Sequence, residues 1–279
     1  SFAFHGLASR PVPSILRSFS APVVLEREVA ETERAFLLAH DTDPVNRWEA
    51  GRGLARAELC RMIREGGEPG RAWSDGIEAV LRDDTLDPAF RALCLRLPSD
   101  DDLAQALHDG GTVPDPDRIR QAVETARLTL ALRGEATLSM IYDSMANEGP
   151  FSPDATQAGR RALRLACLGL LTRIDGGARA GTLHNTANNM TESIGALALL
   201  LDAGRGAQDL EAFHEKWKMN RLVIDKWFTL QVTTGDPAGA IDRAVLLAGH
   251  PDFDWKNPNR FRALLGGLAA NHAGFHRAD

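Results

Sequence analysis

The chain has 279 residues, with 32 basic and 38 acidic side chains, a formal charge of −6 and 44% hydrophobic residues. Both signs of charge are interspersed, so nothing supplies the basic field that a phosphate backbone needs, and nucleic acid is excluded as an expected partner. The longest apolar runs, such as Ile194 to Leu201, fall well short of the ~20 residues required to cross a bilayer, so a soluble globular chain with a substantial core and no membrane partner is expected.

In chain order, residues 1–27 stand apart. The stretch from Arg10 to Glu26 is rich in proline, and its Ile15, Phe19 and Val23-Val24-Leu25 suit extended structure. One or two short strands are expected there, belonging to a preceding β-domain. After Glu28 the pattern turns helical. A capping residue followed by proline recurs at Asp43-Pro44, Asp87-Pro88, Asp115-Pro116, Ser152-Pro153, Asp236-Pro237 and Asn257-Pro258. Each pair marks a helix start, because the side chain accepts from free first-turn N–H groups and proline loses nothing at the first helical position. Asn189, with Glu192 three residues on, adds a start in a capping-box relation.

Between these starts the apolar residues recur at helical spacing. Over Thr156–Leu171 the polar stripe is Gln157, Arg160, Arg161 and Arg164, and the arginines are expected to pair with carboxylates of a neighbouring helix. The stretch AFHEKWKMN opens like the H-E-x-x-H zinc motif, but Lys218 stands where the second histidine belongs, and an ammonium cannot ligate a cation. Phe213 and Trp217 are expected to be buried, with His214, Glu215 and Lys218 solvated. In LVIDKWFTLQV, Val223, Trp227 and Leu230 form an apolar stripe with Ile224 and Phe228 beside it. After Pro258, Phe261, Leu264, Leu265 and Leu268 form a stripe expected to face the preceding hairpin. Ala263, Gly266, Gly267 and Ala270 form a small-residue face open to another helix.

Many helices with short links predict an all-α fold, an irregular α-superhelix of stacked hairpins of the armadillo or HEAT kind, over residues 28–279. A weak internal echo supports it: from His40 and again from His250 the chain runs His, acidic residue, helix-starting proline, Asn-Arg, aromatic, then Ala and Leu. Hairpins of about 40 residues each would fill the helical part.

No catalytic constellation emerges. The eight histidines show no i, i+4 metal pairing except His272 and His276, with Asp279 nearby at a chain end. The Gly51 region GRGLAR lacks the third glycine of a dinucleotide loop, and no serine has a nucleophile-elbow context. Cys60, Cys94 and Cys167 read as small buried hydrophobes in a reducing, cytoplasmic compartment. No catalytic, cofactor-binding or metal residue is therefore expected, since no three-ligand set can be assembled from the chain's residues. The polar residues Asn188, Asn189, Asp225, Lys226, Asn257, Asn259 and Arg260 sit among bulky apolar ones. They read either as caps and buried ion pairs or as the polar lining of a concave groove or interdomain face.

These segments also carry a family resemblance. RPVPSILRSFSAPVVLE, NRWEAG, RRALRLACLGLL, ANNMTESIGAL, LVIDKWFTLQ and NPNRFRALLGGLAANHAGFH, in this order and spacing, resemble the C-terminal region of the bacterial alanyl aminopeptidase N family, zinc metallopeptidases of the gluzincin group. The resemblance covers essentially the whole chain. It implies that residues 1–27 end a β-sandwich and that 28–279 form a helical superhelix capping an upstream zinc-bearing catalytic domain, the chain's partners in one polypeptide. It further implies that the parent's substrates are short peptides, that HEKWK is a coincidence, and that the zinc ligands precede Ser1. Further helices would follow Asp279, and without them self-association or fraying through residues 258–276 is expected. The competing reading is a stand-alone α-solenoid that binds a protein or peptide in its concave face.

Overall fold

The computed structural model describes residues 3–23, 25, 27, 29–147 and 149–277. Its order is set by the caps. Asp43 opens α2 (Pro44–Glu65), Asp87 opens α4 (Pro88–Cys94) and Asp115 opens α6 (Pro116–Ser144), each aspartate accepting a first-turn N–H. Before and between them lie α1 (Glu31–His40), α3 (Arg71–Arg82) and α5 (Asp100–Asp109), the last closed by a capping box between Ser99 and Asp102. Then follow α7 (Ala155–Asp175), α8 (Ala178–Thr186), α9 (Met190–Asp202), α10 (Ala207–Trp217), α11 (Arg221–Thr233) and α12 (Ala240–Ala248). The chain closes with α13 (Pro258–Phe261), a π-turn over Arg262–Gly266, α14 (Gly267–Ala270) and α15 (His272–Phe275).

Some starts shift. The helix expected at Ser152-Pro153 begins at Ala155 with Asp154 as its cap, because Asp154 accepts from the Gln157 N–H while Ser152 accepts from the Asp154 N–H. At Asp236-Pro237 a 3-10 turn, Pro237–Gly239, precedes α12. Asn189 caps α9 as expected. The Glu192 carboxylate, however, accepts from the Asn189 amide and from Arg164.

The N-terminal strands do not form among the described residues of 1–27, and Val24 lies outside them. A strand exists only as a ladder with a partner; here the segment's polar groups are spent on the corner between α1 and α2. Arg17 pairs with Asp41 at 2.9 Å and donates to Thr42, the Ser18 N–H donates to Asp43, and the Asn46 amide donates to the Ile15 carbonyl.

Helices consecutive in the chain pack on one another, α1 on α2, α6 on α7, α8 on α9 and α11 on α12. They enclose one long core from Leu38 to Leu200 and a second around Phe213, Ile224, Trp227, Phe228 and Leu264. Helix α9 serves both, Leu200 facing the first and Leu197 the second. The internal echo is structural. Arg47 and Arg260, the arginines of its two Asn-Arg pairs, are both buried. Arg47 donates to the carbonyls of Leu38 and Ala39 and pairs with Asp83, and Arg260 makes the equivalent set described below.

Two expectations about particular faces are corrected. Among the described residues Arg164 alone of the arginine stripe on α7 reaches a carboxylate, Glu192 at 2.9 Å. Arg160 donates to the carbonyls of Ser144, the last residue of α6, and Ala146 just after it, and Arg161 to the Ser152 carbonyl. Unsatisfied carbonyls at a helix end compete with carboxylates for the same guanidinium. The apolar stripe after Pro258 is split. Leu264 and Leu268 are buried, yet Phe261 and Leu265 are exposed, and Gly267 of the supposed free face lies against Val232 of α11. Across the π-turn, whose turns are wider than those of an α-helix, burial recurs at every fourth residue, Arg260, Leu264 and Leu268, while Phe261 and Leu265 fall on the exposed side. Of the histidine pair at 272 and 276, the neighbouring Asp279 lies outside the described residues, and the His272 ring pairs with Asp101 at 3.3 Å.

The loop leaving α2 holds a pH-sensitive contact. Glu58 is buried and accepts from Arg61 at 2.6 Å and from the Gly70 N–H at 2.5 Å. Burial raises its pKa, but Arg61 and the N–H outweigh it and leave the carboxyl below the ordinary value of 4.5. A depressed pKa contributes stability that is present above 4.5 and is lost as pH falls through the folded value. Glu58→Gln is therefore expected to flatten the acid side of the stability–pH curve below that value. An acid limb identical to that of the unsubstituted chain would remove Glu58 from the account.

Candidate functional site

The polar residues singled out from the sequence fall into two groups. At the first, Asn189 is consumed as the cap of α9, while exposed Asn188 donates to the Gly149 carbonyl at 3.3 Å. The second is built where α11 meets the turn entering α13. Asn257 caps α13 by accepting from the N–H groups of Asn259 and Arg260. That cap fixes the first turn and aims Arg260 inward, where its Nε donates to Asp225 Oδ1 at 2.6 Å. Its other nitrogens donate to the Asp252 and Arg221 carbonyls, and the guanidinium lies 4.8 Å over the Phe228 ring. Arg260 and Asp225 are thus an ion pair within the second core, whereas Lys226 and Asn259 are exposed. Beside the pair is a cavity of about 230 Å³ lined by Lys218, Arg221, Ile224, Asp252, Asn257 and Arg260.

Next to Arg260 the fold assembles what linear spacing could not show. His214 of α10, expected to be solvated, has a side chain only 17% exposed; its Nε2 lies 2.6 Å from Asp252 Oδ2. Its ring sits 4.6 Å from Trp227 and 5.4 Å from His250, and His250 in turn lies 5.1 Å from Trp227 and 5.8 Å from Phe228. Trp227 is held by its indole N–H donating to the Leu210 carbonyl at 3.1 Å. One potential ligand atom from each of His214, His250 and Asp252 falls within 4.8 Å of the others. The expectation that no three-ligand set can be assembled is therefore wrong. The missing signal is tertiary: the chain runs on through α11 and α12 before the 250–252 turn meets His214. Only the His-x-Asp spacing of the turn was visible in the sequence.

This trio is not a peptidase zinc site. It lacks the second imidazole four residues after His214, and Lys218 at that position is bound to Glu215 at 2.7 Å. The thiols offer no alternative chemistry: burial pushes Cys167 up to about 12 and Cys94 up to about 11, where the reactive thiolate is absent near neutrality. A larger groove of about 780 Å³ runs along α4, α6, α7 and α9, lined by apolar residues such as Leu93, Leu130 and Leu165 with Arg96, Arg127 and Arg173 at its border.

Residues 31–279 match the family described as a domain of unknown function, DUF3458_C, of ARM repeats. Aminopeptidase N of Caulobacter vibrioides is 39% identical over 276 residues, which cover 95% of this chain and 31% of that protein. Aminopeptidase N of Escherichia coli is 33% identical over 291 residues, covering 100% of this chain and 33% of its own length. Among solved structures, Legionella pneumophila aminopeptidase A in complex with aspartic acid superposes with a TM-score of 0.83 at 29% identity, over 96% of this chain and 33% of that one. The chain thus spans about a third of the length of the relatives it matches.

Proposed function

The chain belongs to the DUF3458_C family of ARM-repeat domains and corresponds to the C-terminal region of aminopeptidase N; from that membership we propose that it is the helical cap of a zinc-dependent aminopeptidase acting on short peptides. The observation that carries the reading is the collinear match of nearly the whole chain to one third of such enzymes, with the same three-dimensional course. In this reading bond cleavage belongs to a catalytic domain that supplies the zinc ligands and the base activating water. None of this chain's residues takes part in that step. The chain contributes a rigid wall, and the open groove along α4, α6, α7 and α9 has the apolar floor and charged border suited to an extended peptide or to the neighbouring domain.

Residues 1–27 would complete a β-sandwich between the two parts, since Phe19, Val23 and Leu25 are exposed and suited to a ladder that neighbouring strands would supply. Of the polar residues, Asn188, Lys226 and Asn259 are the exposed ones and so the members suited to face other domains or the chamber. Asn189, Asp225, Asn257 and Arg260 are spent internally. A cytoplasmic setting agrees with three free cysteines, two of them buried, and no helix among the described residues is long and apolar enough to cross a membrane.

Peptide length is the readout that tests the cap. In the whole enzyme, hydrolysis of an alanine-initiated dipeptide is expected to exceed that of a ten-residue peptide strongly. Removal of residues 28–279 is expected to abolish that discrimination, and adding the separate chain back to restore it. An unchanged length profile in a zinc-replete, folded deletion form would refute the cap role.

A further inference from the structure

The chemistry of the α10 corner points beyond a wall. We infer that His214, His250 and Asp252 form a binding site for one divalent transition-metal ion of the Zn²⁺ class, which ties α10 to the turn preceding α13. This does not rest on the aminopeptidase reading; it rests on the ligand set and its geometry.

Two neutral imidazoles and a carboxylate are a donor set for borderline-soft divalent ions, and they bring one negative charge to a +2 cation. The ligand atoms already lie within 4.8 Å of one another. With metal–nitrogen bonds of about 2.0–2.1 Å and a tetrahedral angle, two ligating imidazoles have ring centres about 5.2 Å apart. The His214 and His250 rings are 5.4 Å apart and nearly perpendicular, at 81°. Binding would exchange two contacts, the 2.6 Å His214–Asp252 bond and the Asp252 N–H donated to His250 Nδ1 at 3.1 Å, for three metal bonds. The carboxylate of Asp252, with a side chain 38% exposed, leaves the fourth position open to water.

The surroundings hold the ligands in place. Trp227 backs both imidazoles, and Arg260 grips the Asp252 carbonyl. On the far side of His214 the Nδ1 lies 3.8 Å from the Glu215 carboxylate, which places a negative charge behind the ring without a hydrogen bond to it. Two of the nearby cations are held by anions of their own: Lys218 is on Glu215 at 2.7 Å and Arg260 on Asp225 at 2.6 Å.

The test titrates Co²⁺ into the chelator-treated chain at pH 7.5, follows the visible ligand-field bands, and then displaces Co²⁺ with Zn²⁺. One equivalent is expected to bind with the intense bands of a four-coordinate nitrogen and oxygen site and to be released by one equivalent of Zn²⁺. Asp252→Asn and His250→Gln, with helicity by circular dichroism matching the parent chain, are expected to raise the dissociation constant at least tenfold. His272→Gln, at the other histidine pair, is expected to leave it unchanged. Absence of saturable binding, binding indifferent to both Asp252→Asn and His250→Gln, or loss of binding in His272→Gln would each overturn the site and leave His214–Asp252 as a charged hydrogen bond only.

Discussion

Replacing Arg260 with alanine is expected to destabilise the second core by about 3–5 kcal/mol, the range for removing one partner of a buried ion pair. The Arg260 and Asp225 side chains are 5% and 16% exposed, so removing the guanidinium takes from the largely buried Asp225 carboxylate the cation it pairs with, and from the Phe228 ring the group stacked over it. The Asp252 and Arg221 carbonyls lose their donors in the same step. Each unmet buried group adds its desolvation cost. Urea unfolding followed by tryptophan emission reads the effect locally, because Trp227 packs edge-on against Phe228 at 5.1 Å. The thermal midpoint should fall by on the order of 10 °C. The double variant Arg260→Ala with Asp225→Ala should recover part of the loss, since it removes the stranded charge. A loss below about 1 kcal/mol in the single variant would mean the pair behaves as a surface bridge, contrary to its burial.

Leu38→Ala is expected to cost about 3–5 kcal/mol, the upper part of the range for a buried leucine, because its site cannot collapse. Leu38 is fully buried, and a Cβ added at either Gly51 of α2 or Gly76 of α3 would come within 2.8 Å of one of its methyls. The two glycines let α1 insert this side chain between its neighbours. Gly51→Ala is accordingly expected to cost about 1–3 kcal/mol through overpacking, although alanine is the better helix former. Combined with Leu38→Ala it should cost less than the sum, because the added methyl enters the vacated space. Strict additivity in denaturant titrations would show that Leu38 and Gly51 do not share a cavity.

The sequence by itself determined the elements. Each Asp-Pro or Asn-Pro pair acts within one helical turn, and the helices at Pro44, Pro88, Pro116 and Pro258 begin where such pairs stand. The apolar faces of α11 are equally local, and Val223, Ile224, Trp227, Phe228 and Leu230 are all buried. Even the repeated Asn-Arg pair was visible, though not the burial of Arg47 and Arg260 that it encodes. Only the tertiary structure decided which residues meet across the chain. His214 looked solvated because its surface neighbours in α10 are charged, and its actual partners lie in a turn beyond the next helix pair. Gly51 looked incidental until Leu38 was found pressed against it. The stripe after Pro258 was counted at a uniform helical period, which a π-turn breaks by an amount set by packing on α11. Caps and periodicity are energies of neighbouring residues and survive in any context. Ligand sets, stranded charges and cavities are energies of residues distant in sequence, and exist only once the path of the chain has closed.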